Sequence, residues 1–235
     1  APTHRFHGNV GEHGSLATTQ ARAPFIAAGP GIVARGIVDE HIRTVDVADN
    51  TLTLDVGIKN GGLTKIGNGT LDINGANTYS GTVNVNEGTL QMATGGLLGA
   101  TGIGLAVRQG ATFDLNGVNV GTAASGTNAV NALNGAGIIT NSGALASLRI
   151  GQGDAGGNYT GLITGNLALV KAGSGTTHLS GLNTFTGPVT LVGGNLDVTR
   201  LANIGSASGI GAGVATNAAT NAASLVFNGG SLRYI

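Results

Sequence analysis

Short runs in which apolar residues alternate with small polar residues recur along most of the chain. The clearest runs cover residues 70–74, 82–86 and 89–92, and each contains about three to five residues before a glycine or an Asn-Gly pair interrupts it. A period of two predicts β-strands with one buried face. No single run carries enough apolar surface to be stable alone, so the pattern predicts that similar units stack on one another.

The chain also repeats itself without a gap, because residues 62–92 return within residues 166–198 at a constant offset of 106. Most other apolar positions of the first copy hold a similar apolar residue in the second copy, as Tyr79 corresponds to Phe185. Such self-similarity indicates a repeat architecture. The positions of the first copy that recur identically are Leu63, Lys65, Gly67, Gly69, Thr70, Gly75, Asn77, Thr78, Gly81, Val83, Gly88 and Leu90.

These observations predict an all-β fold, a single-stranded parallel β-helix (β-solenoid) with Gly/Asn-rich turns and a few loop excursions. A hairpin-based sandwich or barrel is the alternative, since it would also show short strands and frequent turns. The aromatic content of 3% is low for a sandwich core. An exact copy of the register is also explained by stacking and is not required by a sandwich.

The pattern L-x-K-x-G-x-G-T-(x)5-G-x-N-T-[YF]-[ST]-G-x-V…G-x-L resembles the autotransporter-associated β-strand repeat. The resemblance implies the right-handed β-helix of passenger domains in bacterial secreted surface proteins. Two departures in the second copy are Thr177, which replaces Leu71, and Pro188, which replaces Thr82. Thr suits a strand and Pro is acceptable at a strand start, so neither departure breaks the pattern.

The polar residues that we single out as structural repeat positions surround an asparagine in each copy. Asn tolerates the left-handed conformation, and its amide can satisfy backbone groups at a corner. We therefore expect Asn77 and Asn183 to form corners rather than a binding site. The full set is Gly75, Asn77, Thr78, Tyr79 and Gly81, with Gly181, Asn183, Thr184, Phe185 and Gly187 in the second copy.

The domain organisation follows from where the pattern begins. Residues 1–35 do not fit the repeat and are predicted to be an N-terminal cap, a docking segment or a linker. Residues 36–235 are predicted to form the β-solenoid, with two long repeats at about 63–117 and 169–235. We interpret residues 122–137 and 212–223, which are rich in Ala, Asn, Thr and Gly, as loops that leave the stack.

The composition narrows the class of function. The chain has 235 residues, and its 11 basic and 11 acidic residues cancel. There is no basic stripe for nucleic acid, and we expect no direct membrane insertion of this segment. The absence of cysteine excludes disulfide and thiol chemistry. With the resemblance, these features predict an extracellular or bacterial cell-surface location.

Residues that could carry chemistry are few. Asp46 and Asp55, with Arg43 near them, could form the carboxylate pair of a polysaccharide-acting enzyme, but solvated strand faces explain them more simply. His4, His7 and His13 match no metal-site spacing. The G-x-G-x-x-G at residues 151–156 lacks a following helical pattern. We therefore predict no catalytic residues, no cofactor and no metal, and hence a protein that is not an enzyme.

The function predicted from the sequence is a structural or adhesive module. Cell-surface or matrix glycans or proteins are the expected partners. Head-to-tail self-association into a fibre is a sharper hypothesis, because the charge is low and the chain stops on an uncapped strand pattern at residues 232–235. Two alternatives stay open, namely a passive passenger stalk or spacer and a polysaccharide-acting β-helix enzyme.

Overall fold

The chain winds into a β-solenoid in which parallel strands stack coil upon coil. The structure, a computed structural model, describes residues 25–26, 33–34, 44–47, 50–54, 57–121, 128–214 and 224–235. The described strands, numbered in chain order, form three parallel sheets of ten, seven and four strands, and the described residues contain no helix. The predicted fold class is therefore confirmed.

We name the sheets A, B and C. Sheet A contains β1 (Phe25–Ile26), β3 (Thr44–Asp46), β5 (Leu63–Ile66), β7 (Val83–Val85), β9 (Ile103–Val107), β11 (Val130–Gly135), β14 (Gly157–Tyr159), β17 (Thr176–Leu179), β19 (Asn195–Val198) and β21 (Ser231–Tyr234). Sheet B contains β2 (Val33–Ala34), β4 (Thr51–Leu54), β6 (Thr70–Ile73), β8 (Thr89–Met92), β10 (Thr112–Asp114), β12 (Ile138–Thr140) and β15 (Leu162–Ile163). Sheet C contains β13 (Ala146–Ile150), β16 (Leu167–Lys171), β18 (Val189–Leu191) and β20 (Leu225–Phe227).

The core is a set of apolar columns that run along the stack. In sheet B, Leu71 pairs with Leu90, which pairs with Phe113, which in turn pairs with Ile139. All four side chains are fully buried. The alternation read from the sequence is thus the alternation of inward and outward side chains, and each coil buries its apolar face against the next.

The two sequence copies lie on different faces of the solenoid. The strand that begins the first copy is β5 in sheet A, whereas its counterpart in the second copy is β16 in sheet C. The second strand is β6 in sheet B in the first copy and β17 in sheet A in the second. The same motif is therefore displaced by one face, because the offset between the copies is not a whole number of coils.

One loop prediction is wrong. Within residues 122–137, interpreted from composition as an excursion, Val130–Gly135 forms strand β11 in sheet A, between β9 and β14. The register between β9 and β11 shifts between Val130 and Leu133, so the ladder contains an irregularity that brings both of these buried side chains into the core. Residues 122–127 and 215–223 lie outside the described residues.

Of residues 1–35, only Phe25–Ile26 and Val33–Ala34 are described, as strands that pair with β3 and β4. The assignment of a cap, docking segment or linker stays a prediction. The described part of the chain contains no helix long and apolar enough to cross a membrane.

Candidate functional site

The most distinctive part of each copy is the segment that holds the predicted repeat positions. In the first copy, Gly75, Asn77 and Tyr79 are buried, while Thr78 between them is exposed. The second copy shows the same alternation at residues 181–185. The segment thus behaves as an extended stretch with one inward face, although it contributes no named strand.

The side-chain amide of Asn77 connects three coils. Its Oδ1 accepts a hydrogen bond of 2.7 Å from the N–H of Ile58 in the preceding coil. Its Nδ2 donates to the carbonyl of Gly75 at 3.2 Å and to that of Leu97, in the following coil, at 2.7 Å. The carbonyl of Gly75 also accepts from the N–H groups of Asn77 and Leu97, so the N–H of Ile58 and the carbonyl of Leu97 are the backbone groups that the irregular corner would otherwise leave unpaired.

Asn183 makes the equivalent contacts although it lies on a different face of the solenoid. Its Oδ1 accepts from the N–H of Ile163 at 2.9 Å, and its Nδ2 donates to the carbonyl of Gly209 at 3.0 Å. Neither Asn77 nor Asn183 has a positive φ, so neither uses the left-handed conformation that asparagine tolerates. The structural role of Asn77 and Asn183 is therefore in the hydrogen bonds of their side-chain amides.

The glycines of the motif lie where successive coils approach closely. A Cβ atom on Gly81 would lie 2.4 Å from the carbonyl oxygen of Gly61, and one on Gly187 would lie 2.5 Å from that of Leu167. The N–H groups of Gly81 and Gly187 donate to those same carbonyls. The exposed Thr184 donates from its Oγ1 to the Oγ1 of Thr164, 2.8 Å away in the preceding coil.

The aromatic position of the motif is fully buried in both copies, as Tyr79 and as Phe185. The hydroxyl of Tyr79 has no hydrogen-bond partner among the described residues. Burial raises the pKa of Tyr79 far above its usual range, so the phenol stays neutral. Tyr159, in contrast, donates its hydroxyl to the carbonyl of Gly137 at 2.8 Å.

We expect Tyr79→Phe to stabilise the solenoid by about 1 kcal/mol, because it removes a buried hydroxyl that makes no hydrogen bond. The matched control is Tyr159→Phe, which should destabilise by about 1 kcal/mol because it removes a buried hydrogen bond, although the carbonyl of Gly137 still accepts from the N–H of Leu162. Urea titration followed by circular dichroism measures both changes. Equal losses of stability in the two variants would contradict the difference between the two hydroxyls.

Two buried lysines are structural features to which sequence reasoning assigned no role. Lys65 and Lys171 occupy equivalent positions of the two copies and have no exposed surface. The Nζ of Lys65 lies 2.8 Å from the carbonyl oxygen of Ile66, 2.6 Å from that of Gly67 and 3.2 Å from that of Glu87. The sequence did indicate this burial, since the L-x-K spacing places the lysine on the same inward side of the strand as the preceding leucine.

Burial of Lys171 affects the pKa of its ammonium group. Its Nζ donates to the carbonyls of Ala172, Gly173 and Gly193 at 2.5, 3.2 and 3.2 Å. Burial lowers the pKa of the Lys171 ammonium, and the carboxylate of Asp154 partly opposes that change. The ammonium thus joins the turn that follows its own strand to the turn of the next coil.

The outward face of sheet A carries a row of mainly polar side chains, one from each coil. The register places Thr64 beside Asn84, and further along the row Asn158 beside His178. At the end of the row the Nδ1 of His178 lies 3.2 Å from the Oδ2 of Asp197. Both carboxylate oxygens of Asp197 also accept from the guanidinium of Arg233, at 2.6 and 2.7 Å.

The outward face of sheet B carries a second row, in which Asp72, Gln91 and Asp114 are neighbours. Burial acts to raise the pKa of Asp114, but hydrogen bonds from Ser142, Gln91 and the Asn116 N–H outweigh it and the pKa is lowered. The pKa of Asp72 is raised, first by burial and further by the charge of Asp114. Gln91 separates the two carboxylates and donates to Asp114 at 2.9 Å, so the row is held together internally.

Several candidate residues lie beyond what the structure describes. Arg43, Asp55 and the histidines His4, His7 and His13 are outside the described residues, and of Asp46 only the backbone, in β3, is described. The carboxylate pair predicted at Asp46 and Asp55 thus stays untested. In the described ranges, no group of three or more His, Asp or Glu residues could hold a metal ion.

Comparison with known proteins identifies the repeat. The family model described as passenger-associated-transport-repeat matches residues 63–92 and 169–198, which are the two units found in the sequence. The chain is also 36% identical over 197 residues to the adhesin BmaC autotransporter of Brucella suis biovar 1 (strain 1330). That alignment covers 81% of this chain and 5% of the Brucella protein. No solved structure gives a significant match.

Proposed function

Because residues 63–92 and 169–198 are passenger-associated transport repeats, we propose that this chain is an extracellular structural and adhesive module of a bacterial autotransporter protein. The observation that supports the proposal most strongly is its 36% identity to a protein named as an adhesin autotransporter. The family and this relative place the chain at the bacterial surface or outside the cell. The partners and the activity of any longer protein are part of the proposal.

The geometry of the solenoid suits this role. Buried asparagines, buried lysines and glycine contacts hold successive coils at a fixed spacing, which makes the outer faces regular. Neighbouring strands lie about 4.8 Å apart, so each outward row repeats its polar groups at that interval. Weak contacts made by many such groups add up when they act together. Surface or matrix glycans or proteins are the proposed partners.

Adhesion can be measured with the chain displayed on beads and with the free chain. We expect saturable retention of the beads on surfaces coated with matrix proteins or neutral glycans, with an avidity about a hundredfold above that of the free chain. Retention no better than that of uncoated beads would favour the passive stalk. Cleavage of glycans by the chain would instead favour the polysaccharide-acting enzyme.

Two matched variants test which outward face of the solenoid makes the adhesive contacts. The first replaces Thr64, Asn84 and Asn158 by alanine on the outward face of sheet A, and the second replaces Thr70, Thr89 and Thr112 on that of sheet B. Circular dichroism checks that both variants fold. We expect the first to lose more retention, because the row on sheet A is longer. An equal loss of retention in the two variants would contradict the expectation that the face of sheet A makes most of the adhesive contacts.

End-to-end assembly stays a separate prediction. Electron microscopy and sedimentation over a range of concentrations test it without reference to adhesion. Fibres with a regular repeat would support a filament. Separate short rods at every concentration would contradict it and would leave the adhesive role untouched.

A further inference from the structure

The chain contains six Asn-Gly pairs, and all six lie in the described ranges. Asparagine followed by glycine is the sequence most prone to spontaneous deamidation, since glycine offers no side chain to hinder attack by its backbone nitrogen. In every pair the asparagine side chain is exposed, so exposure does not distinguish them. The pairs begin at Asn60, Asn68, Asn74, Asn116, Asn134 and Asn228.

The backbone nitrogen that would attack is already engaged in three pairs. The N–H of Gly69 donates to the carbonyl of Val47 at 2.7 Å, and that of Gly75 donates to the carbonyl of Leu54 at 3.1 Å. The N–H of Gly117 donates to the Oδ1 of Asn141 at 2.7 Å. In the fourth pair, which begins at Asn134, Gly135 is the last residue of β11 and its backbone pairs with that of Tyr159 of β14 in the sheet ladder.

The remaining two pairs differ. The N–H of Gly61 has no hydrogen-bond partner among the described residues, and the same is true of Gly229. Asn60 and Gly61 both have positive φ, at 62° and 66°, which places them at a tight turn before β5. Gly229, with a φ of 103°, lies in the turn between β20 and β21. In both turns the side-chain amide is exposed and the attacking nitrogen is free.

We propose that Asn60 and Asn228 are sites of spontaneous deamidation and that the coil-to-coil hydrogen bonds protect the other four asparagines. The glycine nitrogen loses its proton to solvent base and attacks Cγ of the asparagine. The N–Cγ bond forms, the Cγ–Nδ2 bond breaks, and Nδ2 leaves as ammonia after taking a proton. Water then opens the succinimide ring at either carbonyl and yields aspartate or isoaspartate.

The reaction would add charge to a chain in which only 9% of the residues are charged. Asn60 is adjacent to a shallow groove lined by Gly61, Gly62, Thr64, Gly81, Thr82 and Asn84, none of which is charged. Each conversion adds one negative charge to a chain whose formal net charge is zero. The surface would therefore become more acidic with time after folding, without any enzyme.

Tryptic digestion separates the proposed sites from their controls. Cleavage at Lys59 and Lys65 isolates Asn60, and cleavage at Arg200 and Arg233 isolates Asn228, whereas the other four asparagines fall in residues 66–108 and 109–149. The folded chain is incubated at mildly alkaline pH and digested at intervals. We expect a mass gain of about one dalton at Asn60 and Asn228, with isoaspartate present.

The control is the same chain incubated in urea, where all six pairs should react at similar rates. In the folded chain we expect the four protected pairs to react at least about tenfold more slowly than Asn60 and Asn228, because a hydrogen bond must first be broken. Asn60→Gln should remove one acidic species in isoelectric focusing. Reaction of Asn68, Asn74 or Asn116 in the folded chain as fast as that of Asn60, or no reaction at Asn60, would overturn the proposal.

Discussion

Replacement of Asn77 by aspartate is expected to destabilise the solenoid by about 3 to 5 kcal/mol at neutral pH, which is the range for a buried charge without a partner. The shape of the side chain is almost unchanged, so the effect is one of hydrogen bonding and charge. The carboxylate can still accept from the N–H of Ile58, as the Oδ1 of Asn77 does at 2.7 Å. Its second oxygen would face the carbonyls of Gly75 and Leu97, to which Nδ2 now donates.

The pH dependence separates this mechanism from simple loss of packing. In the folded variant, burial and the facing carbonyls raise the pKa of the new carboxyl above its unfolded value of about 3.9. The part of the penalty that comes from the charge is therefore absent below the unfolded pKa, grows as the pH rises from there to the folded pKa, and stays constant above it. Urea titrations at several pH values should show the variant approaching the parent protein as the pH falls.

The control variant is Asn77→Ala, which leaves the N–H of Ile58 and the carbonyl of Leu97 unpaired but adds no charge. We expect it to cost about 2 kcal/mol, with no added pH dependence between pH values of about 4 and 7. Asn183→Asp should repeat the behaviour of Asn77→Asp on the other face of the solenoid. A carboxylate variant as stable as the alanine variant at neutral pH would show that the buried charge adds no penalty beyond the lost hydrogen bonds.

The sequence alone was sufficient to predict the stacked fold, because alternation in each short run determines which side chains point inward. Leu71 and Leu90, in the alternating runs at residues 70–74 and 89–92, were predicted to face inward, and their side chains form one continuous column with Phe113. The repeat itself was visible as exact self-similarity. These signals are local and periodic, so they can be read without knowing which coil contacts which.

What could not be predicted depends on contacts between residues about twenty positions apart. The hydrogen bonds from Asn77 and Asn183 to preceding and following coils require the length of each coil, which loops and irregular turns change. For the same reason the sequence did not reveal that the second copy lies one face away from the first. Strand β11 was missed because residues 130–135 do not alternate regularly between apolar and polar residues, although the neighbouring strands β9 and β14 still hold them in sheet A.

Gly181 should be the least replaceable glycine of the repeat. An alanine Cβ at this position would lie only 1.8 Å from the carbonyl oxygen of Gly161 in the preceding coil. Gly161 is itself restricted, since its own Cβ would lie 2.0 Å from the carbonyl oxygen of Gly137. The three glycines form a column in which the backbones of three coils touch. A methyl group can be accommodated only if two coils move apart, and that movement would disturb the hydrogen bonds of the adjacent Asn183 corner.

We therefore expect Gly181→Ala to destabilise the solenoid by about 3 kcal/mol or more, at the upper end of the range for overpacked sites. The matched control is Gly110→Ala, because Gly110 has a φ of 87° but no atom near the position of a new Cβ. That variant should lose only about 1 kcal/mol from the left-handed backbone conformation. Thermal and urea unfolding followed by circular dichroism compare the two variants. If Gly110→Ala costs as much as Gly181→Ala, backbone conformation rather than contact between coils would explain why the motif has glycine here.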